Sequence, residues 1–238
     1  MKGSGGKDGK EGRMGFEIYR IPSGVPGLDD MVEGGLPFPS TALVAGSAGT
    51  GKTTFALQFL SKGAEQGEKG LFFSTLSEPI SWMLRFSQTY EFMRREHFGK
   101  DIIYIDLYGL LRKTKNYKEL LDIINDTINE HIPQRIVIDP ITVISKWPGY
   151  RDFLYDIMID LRNWNSTTLL TGENGPGEDF PVDVSYVVDG IILLSTKVMP
   201  EGSRQRYLEV LKMRGTDHVT GKHMATISKE GLSVQIGI

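Results

Sequence analysis

One segment near residue 50 has the residue types and spacing of a phosphate-binding loop. The sequence GSAGTGKT at Gly46–Thr53 matches the Walker A pattern G-x-x-x-x-G-K-[ST]. Glycines let the backbone turn its N–H groups toward an anion, and Lys52 at this spacing reaches the β- and γ-phosphates, where its charge also assists catalysis. The predicted nucleotide-binding residues of this loop are Gly46, Ser47, Ala48, Gly49, Thr50, Gly51, Lys52, Thr53 and Thr54. They predict a site for ATP or ADP.

A second candidate ligand is the aspartate that ends an apolar segment. Arg135–Asp139 reads RIVID, a short strand pattern that ends in an acid, as a Walker B strand does. An aspartate there would face the water shell of a magnesium ion whose other ligand is the Thr53 hydroxyl. The alternative is an ordinary aspartate that closes a strand. The phosphate-binding loop upstream favours the first interpretation. The predicted Mg²⁺ site therefore consists of Thr53 and Asp139, with the aspartate acting through water.

The elements that must position these residues alternate between two patterns. The short apolar segments, which predict buried strands, are Thr41–Gly46, Leu71–Thr75, Ile102–Ile105, Ile136–Asp139, Thr168–Thr171 and Ile191–Leu194. The amphipathic segments, which predict helices, are Thr53–Gln66, Ile80–Phe98, Tyr117–His131 and Tyr150–Asn163. Strand–helix alternation predicts a mostly parallel sheet with helices on both faces. Within Ile80–Phe98, Trp82, Phe86, Tyr90 and Met93 recur at helical spacing and are interpreted as core.

The last part of the chain changes character. Strand patterns follow one another there without room for helices, at Ile191–Thr196, Arg206–Lys212, Lys222–Ser228 and Leu232–Ile236. Turn residues at 199–202 separate the first two segments, and turn residues at 229–231 separate the last two. The predicted fold class is therefore α/β, a mostly parallel sheet with helices on both faces that finishes in an antiparallel meander.

Composition excludes several classes of protein. The 238 residues include no cysteine, which excludes disulfide scaffolds, thiol catalysis and cysteine-ligated metals. No apolar segment approaches the ~18 residues of a membrane span and no signal-peptide pattern is present, so we expect a cytoplasmic protein without membrane contacts. A net charge of −3 disfavours a dedicated nucleic-acid binder. The glycine-rich residues 1–15 are expected to be a disordered leader or tag, and residues 16–238 a single domain.

Five segments together resemble the KaiC-like ATPases of the RecA superfamily. They are residues Arg20–Asp29, Gly34–Pro37, the phosphate-binding loop, Val137–Asp139 and Leu211–His218. The resemblance covers about residues 16–236 and is to the single-domain members of that group. It implies a RecA-like P-loop NTPase fold and a homo-oligomer, a hexameric ring with the nucleotide at subunit interfaces.

The resemblance also implies roles for particular residues. In that group a K-x-R-G segment reaches across to a neighbour's γ-phosphate, which implies catalytic roles for Lys212 and Arg214. His218 matches the histidine that closes the motif and is carried over as a nucleotide-binding residue. The segment at Ile227–Lys229 is similar to the one that contacts base and ribose.

One departure from the family pattern concerns the catalytic carboxylate. Relatives usually place two adjacent glutamates after the second core strand, where this chain has Leu76 and Ser77. Glu78 follows, and it is either the catalytic residue that positions water or an acid in the first turn of a helix that starts at Pro79. Glu173, just after another strand, is a candidate sensor of the γ-phosphate.

The expected reaction is hydrolysis of ATP to ADP and phosphate. Because the usual glutamate pair is absent, we expect slow turnover, typical of a regulatory switch that acts through protein partners not identifiable from the sequence. Two alternatives stay open: a nucleic-acid-dependent ATPase, which the RecA core permits but the acidic charge disfavours, and a nucleotide-stabilised assembly module that does not hydrolyse ATP.

Overall fold

Two sheets and seven α-helices make up the part of the chain that the computed structural model describes, residues 18–76, 78–114, 116–174 and 180–237. The strands are β1 (Arg20–Ile21), β2 (Leu36–Pro37), β3 (Ser40–Gly46), β4 (Gly70–Ser74), β5 (Ile102–Asp106), β6 (Arg135–Asp139), β7 (Thr167–Gly172), β8 (Gly190–Val198), β9 (Arg204–Met213), β10 (His223–Ser228) and β11 (Gly231–Gln235). The α-helices are α1 (Leu28–Met31), α2 (Lys52–Glu65), α3 (Ile80–Ser87), α4 (Leu107–Leu111), α5 (Tyr117–His131), α6 (Tyr150–Asn163) and α7 (Val182–Ser185). The expected leader at 1–15 lies outside the described residues.

The main sheet has the order β11-β10-β9-β8-β3-β7-β6-β4-β5. Strands β8, β3, β7, β6, β4 and β5 pair in parallel, and β9, β10 and β11 continue the sheet in antiparallel pairing. This arrangement confirms the predicted α/β fold class and the C-terminal meander. Its functional consequence is that β3, β7 and β6 are neighbours, so their carboxyl ends lie side by side.

Both faces of the sheet are buried along β7, β6 and β4, as the continuous apolar strand patterns predict. On β6, Val137 packs into the core on the side of α2, whereas Ile136 and Ile138 pack on the opposite side. That second core includes the apolar faces of α5 and α6. None of the helices in the described ranges is both long and apolar enough to cross a membrane.

The structure overturns the predicted helix at Ile80–Phe98. Helix α3 ends at Ser87, and the chain beyond it folds back toward the meander, where the Glu91 N–H donates a 2.8 Å hydrogen bond to the carbonyl of Lys229. The Tyr90 and Phe92 rings stack with centroids 5.2 Å apart. Contacts distant in sequence outweigh the local helical period here, because propensity alone stabilises a helix only weakly.

The interpretation of two aromatic residues of this segment as core residues is wrong. Trp82 and Phe86 lie on α3 with 55% and 65% of their surface exposed, and their rings contact each other edge to face. Met93 packs against the core beside α2, as expected. Tyr90 is half-buried and lies outside the helix.

Candidate functional site

The predicted phosphate-binding loop connects the central strand β3 to α2. Strand β3 ends at Gly46 and α2 begins at Lys52, with Gly51 as its N-cap. No side chain caps that end of the helix. The first N–H groups of a helix lack partners within it and carry partial positive charge, so this end of α2 is suited to an anion.

Gly51 shows why this loop needs glycine. Its φ is 110°, a left-handed conformation that side chains rarely adopt, and a Cβ atom there would lie 2.7 Å from Cδ1 of Ile227. Ile227 belongs to β10, so the meander lies directly against the loop. The segment at Ile227–Lys229, which the resemblance expects near base and ribose, therefore begins beside the phosphate-binding loop.

Lys52 is buried beneath the loop. Its Nζ donates hydrogen bonds of 2.9 Å to the carbonyl of Gly46 and 3.0 Å to that of Ser47, and it lies 3.8 Å from Oε1 of Glu173. Burial lowers the pKa of Lys52, while the nearby carboxylates of Glu173 and Asp139 oppose that decrease. The ammonium is therefore held at the loop with negative charge close by.

Asp139 lies at the end of β6 and is bound by hydroxyl groups from two other elements. The Thr53 hydroxyl donates a 2.9 Å hydrogen bond to Oδ2, and the Thr171 hydroxyl, from β7, donates to Oδ1. Burial raises the pKa of Asp139, and the two hydroxyl donors and Lys52 counteract the rise. A cation beside this carboxylate would favour its charged form in the same way.

The phosphate-binding loop, the ends of the neighbouring strands and the meander together enclose a cleft of about 410 Å³. Its lining residues are Ala48, Gly49, Gly51, Lys52, Thr53, Thr54, Leu76, Tyr90, Asp139, Pro140, Glu173, Arg206 and Ile227. The structure thus brings together the loop, Asp139 and Glu173, which the sequence presents far apart. That these residues bind a nucleotide and a metal ion remains a prediction.

Two polar residues of this cleft lining were not recognised as site residues from the sequence. Tyr90 had been interpreted as core; its hydroxyl lies 3.3 Å from that of Thr54. Arg206, on β9, has a buried Nε without a hydrogen-bond partner in the structure. Both come from segments whose position depends on the meander folding over α2, so no local sequence signal marks them.

Glu78 is exposed and is not among the residues that line the cleft. Its carbonyl accepts a 2.6 Å hydrogen bond from the Tyr104 hydroxyl. Helix α3 starts at Ile80 with Pro79 as its N-cap, so Glu78 precedes the helix and is not in its first turn, contrary to one expectation. Leu76, at one of the positions where relatives have glutamate, does line the cleft.

The C-terminal cations lie away from the cleft of their own chain. Lys212 Nζ donates to the carbonyl of Val188 at 2.7 Å, and Arg214 Nη1 donates to Oδ1 of Asp189 at 2.9 Å. Burial and the nearby Arg214 lower the pKa of Lys212. His218 Nδ1 is 3.4 Å from the carbonyl of Thr216. Neither the two cations nor His218 belongs to the cleft lining.

Comparison with known proteins agrees with this architecture. The family model described as "ATPase: KaiC" matches residues 21–237. A UPF0273 protein of Methanopyrus kandleri is 30% identical over 91% of this chain and 92% of its own length. The crystal structure of a KaiC-like protein, PH0186 of Pyrococcus horikoshii OT3, superposes with a TM-score of 0.82 at 30% identity, covering 92% of this chain and 100% of that one.

The chain is also similar to longer proteins. The circadian clock oscillator protein KaiC of Prochlorococcus marinus strain MIT 9313 is 29% identical over 94% of this chain. The alignment covers 47% of that relative, so the chain spans about half the length of the clock proteins it matches. With the family match over nearly the whole described range, the chain belongs to the KaiC-like family of ATPases, with the P-loop fold of the RecA superfamily.

Proposed function

We propose that this protein binds ATP with Mg²⁺ in the cleft and hydrolyses it slowly to ADP and phosphate, as a regulatory switch. The observation that carries the proposal is the convergence of three groups from two separate elements, the start of α2 and the end of β6. The Lys52 ammonium, the Thr53 hydroxyl and the Asp139 carboxylate meet beside the uncapped end of α2. Together they match the charge and the metal preference of a nucleoside triphosphate.

The donor set fits a magnesium ion. Mg²⁺ prefers oxygen ligands, keeps several waters and is usually held by one or two protein groups together with substrate phosphates. The Thr53 hydroxyl would bind it directly and Asp139 through water. A magnesium ion bound there would neutralise charge on the β- and γ-phosphates. Thr171 would hold the Asp139 carboxylate in place by its hydrogen bond.

The placement of Lys212 and Arg214 supports a ring. Since neither lines the cleft of its own chain, they would reach a γ-phosphate only in a neighbouring subunit. An ammonium and a guanidinium delivered in this way stabilise charge on the transferring phosphoryl group. We therefore propose a hexamer with the nucleotide between subunits.

Phosphate release from the wild-type protein tests the reaction. We expect slow release that requires both ATP and Mg²⁺, and at least about tenfold slower release by Asp139→Asn, since groups that orient a metal's water shell contribute 10–100-fold. Asp152→Asn, an exposed change on α6, is the matched control and should match the wild type. No magnesium-dependent release from the wild type would contradict the proposal, and strong stimulation by single-stranded DNA would favour a nucleic-acid motor instead.

Light scattering after size exclusion tests the ring. With ATP and Mg²⁺ we expect six times the 26.6 kDa mass of one chain. A monomer mass under those conditions would contradict the hexamer without bearing on ATP binding. Arg214→Ala in the same experiment shows whether this cation also stabilises the assembly.

A further inference from the structure

We propose that Glu173 is the carboxylate that positions and deprotonates the attacking water, the role of the glutamate pair that the family pattern places after another strand. This inference rests on the proposed ATP hydrolysis. It concerns which group of the chain activates the water, a role for which the sequence alone offered Glu78.

The topology places Glu173 at the centre of the site. Strand β7 lies between β3 and β6, and its last residue, Gly172, is in register with Ala45 of β3. Glu173 therefore emerges beside Gly46, where the phosphate-binding loop begins. On its other side lies the strand end that carries Asp139.

Local contacts hold Glu173 in this position. Its N–H donates a 3.1 Å hydrogen bond to the hydroxyl of Thr142, which lies in the 3₁₀ helix at Ile141–Lys146 directly after β6. Its Oε1 is 3.8 Å from Lys52 Nζ. The backbone is thus fixed while the carboxylate, with 55% of the side chain exposed, stays open to water.

The distance to Lys52 locates the carboxylate relative to the substrate. A lysine in this loop binds the terminal phosphates with charge-assisted hydrogen bonds of about 2.7–2.9 Å. A γ-phosphate held by Lys52 would therefore lie within a few ångströms of Glu173. Because a carboxylate and a phosphate repel each other, a water molecule between them is the favourable arrangement, and hydrogen-bond reach of ~2.6–3.2 Å to that water is what a general base requires.

Glu78 does not have these properties. It is exposed outside the cleft lining, and the residue of its segment that does line the cleft, Leu76, is apolar. Among the described carboxylates that line the cleft, Asp139 is already bound by two hydroxyl groups at the proposed metal site. Glu173 is the other one.

The proposed step is balanced by groups already named. The water oxygen forms a bond to the γ-phosphorus while the bond from that phosphorus to the β,γ-bridging oxygen breaks. The electron pair stays on the bridging oxygen, which becomes a terminal oxygen of ADP. Glu173 takes the water proton and later releases it to solvent, so the products are ADP, phosphate and a proton.

Glu173→Gln tests this role because glutamine keeps the size of the side chain but cannot take up the proton. General-base catalysis contributes about 10²–10⁴-fold, so we expect kcat to fall at least ~100-fold while the Kd for ATP stays within about threefold. The readouts are phosphate release under saturating ATP and equilibrium binding of a fluorescent ATP analogue. Glu130→Gln, an exposed change on α5, is the matched control and should match the wild type.

The outcomes separate this inference from the function on which it rests. If the wild type releases no phosphate, the proposed hydrolysis is contradicted, and so is the proposed role of Glu173. If the wild type is active but Glu173→Gln keeps its kcat within threefold, only the role of Glu173 fails. The same holds if Glu173→Gln loses ATP binding, or if Glu78→Gln shows the loss of kcat in its stead.

Discussion

Lys52→Ala is expected to weaken binding of ATP with Mg²⁺ at least about 100-fold. Hydrogen bonds to charged groups contribute about 1.5–3 kcal/mol each, and each 1.4 kcal/mol corresponds to a tenfold change in Kd. In the proposed site Lys52 makes such bonds to two phosphates, and its ammonium lies at the loop, held by the Gly46 and Ser47 carbonyls. Alanine removes these bonds and the positive charge together.

Isothermal titration of ATP into the wild type and the variant measures this effect. Lys62→Ala is the matched control, because Lys62 lies on the same helix α2 with 40% of its side chain exposed and pairs only with Glu65 among the described residues. We expect the control to bind as the wild type does. Equal ATP affinity in Lys52→Ala and the wild type would contradict the proposed site.

Arg135→Met is expected to lower the free energy of unfolding by about 3 kcal/mol or more. Arg135 is fully buried, pairs with Glu68, and donates hydrogen bonds of 2.8 and 2.7 Å to the carbonyls of Pro22 and Phe59. Methionine keeps an unbranched apolar chain but has no N–H donors, which leaves the Glu68 charge and the two carbonyls without this partner. Removing one partner of a buried ion pair costs about 3–5 kcal/mol.

Urea unfolding followed by circular dichroism measures the loss in Arg135→Met. Arg151→Met is the control, since the Arg151–Asp183 pair has 77% and 50% of its side chains exposed and such pairs contribute about 0–1 kcal/mol. A loss below about 1 kcal/mol in Arg135→Met would mean that this buried network adds little to stability. Gly63 is part of the same network, because a Cβ atom there would lie 2.5 Å from Nε of Arg135.

The regular elements were the most predictable part of the fold. The helices at Tyr117–His131 and Tyr150–Asn163 match α5 and α6 residue for residue, and the turns at 199–202 and 229–231 lie where the structure has them. In these segments the hydrophobic period, the turn residues and the tertiary contacts favour the same structure. The short elements α1, α4 and α7 and the two-stranded sheet of β1 and β2 were not predicted, because a few residues carry no measurable period.

The predictions failed where distant contacts compete with local pattern. The period of Ile80–Phe98 favours one helix, but the contact between Glu91 and Lys229 requires the chain to turn after Ser87. For the same reason Tyr90 is at the cleft instead of in a core. Trp82 and Phe86, on α3, are exposed. The helical period of one segment carries no information about a turn that lies far along the chain.

What the sequence determined by itself is the residue types of short segments and the chemistry that they predict: a glycine-rich loop suited to phosphate, a threonine suited to a metal ion, and an aspartate at a strand end. What only the tertiary structure decided is which side chains from distant parts of the sequence lie beside that loop. The strand order β3-β7-β6 brings Glu173 and Asp139 to Lys52, and the meander brings Arg206, Ile227 and Tyr90. Glycine spacing is a property of neighbouring residues, whereas convergence of side chains depends on how strands pair across the whole chain.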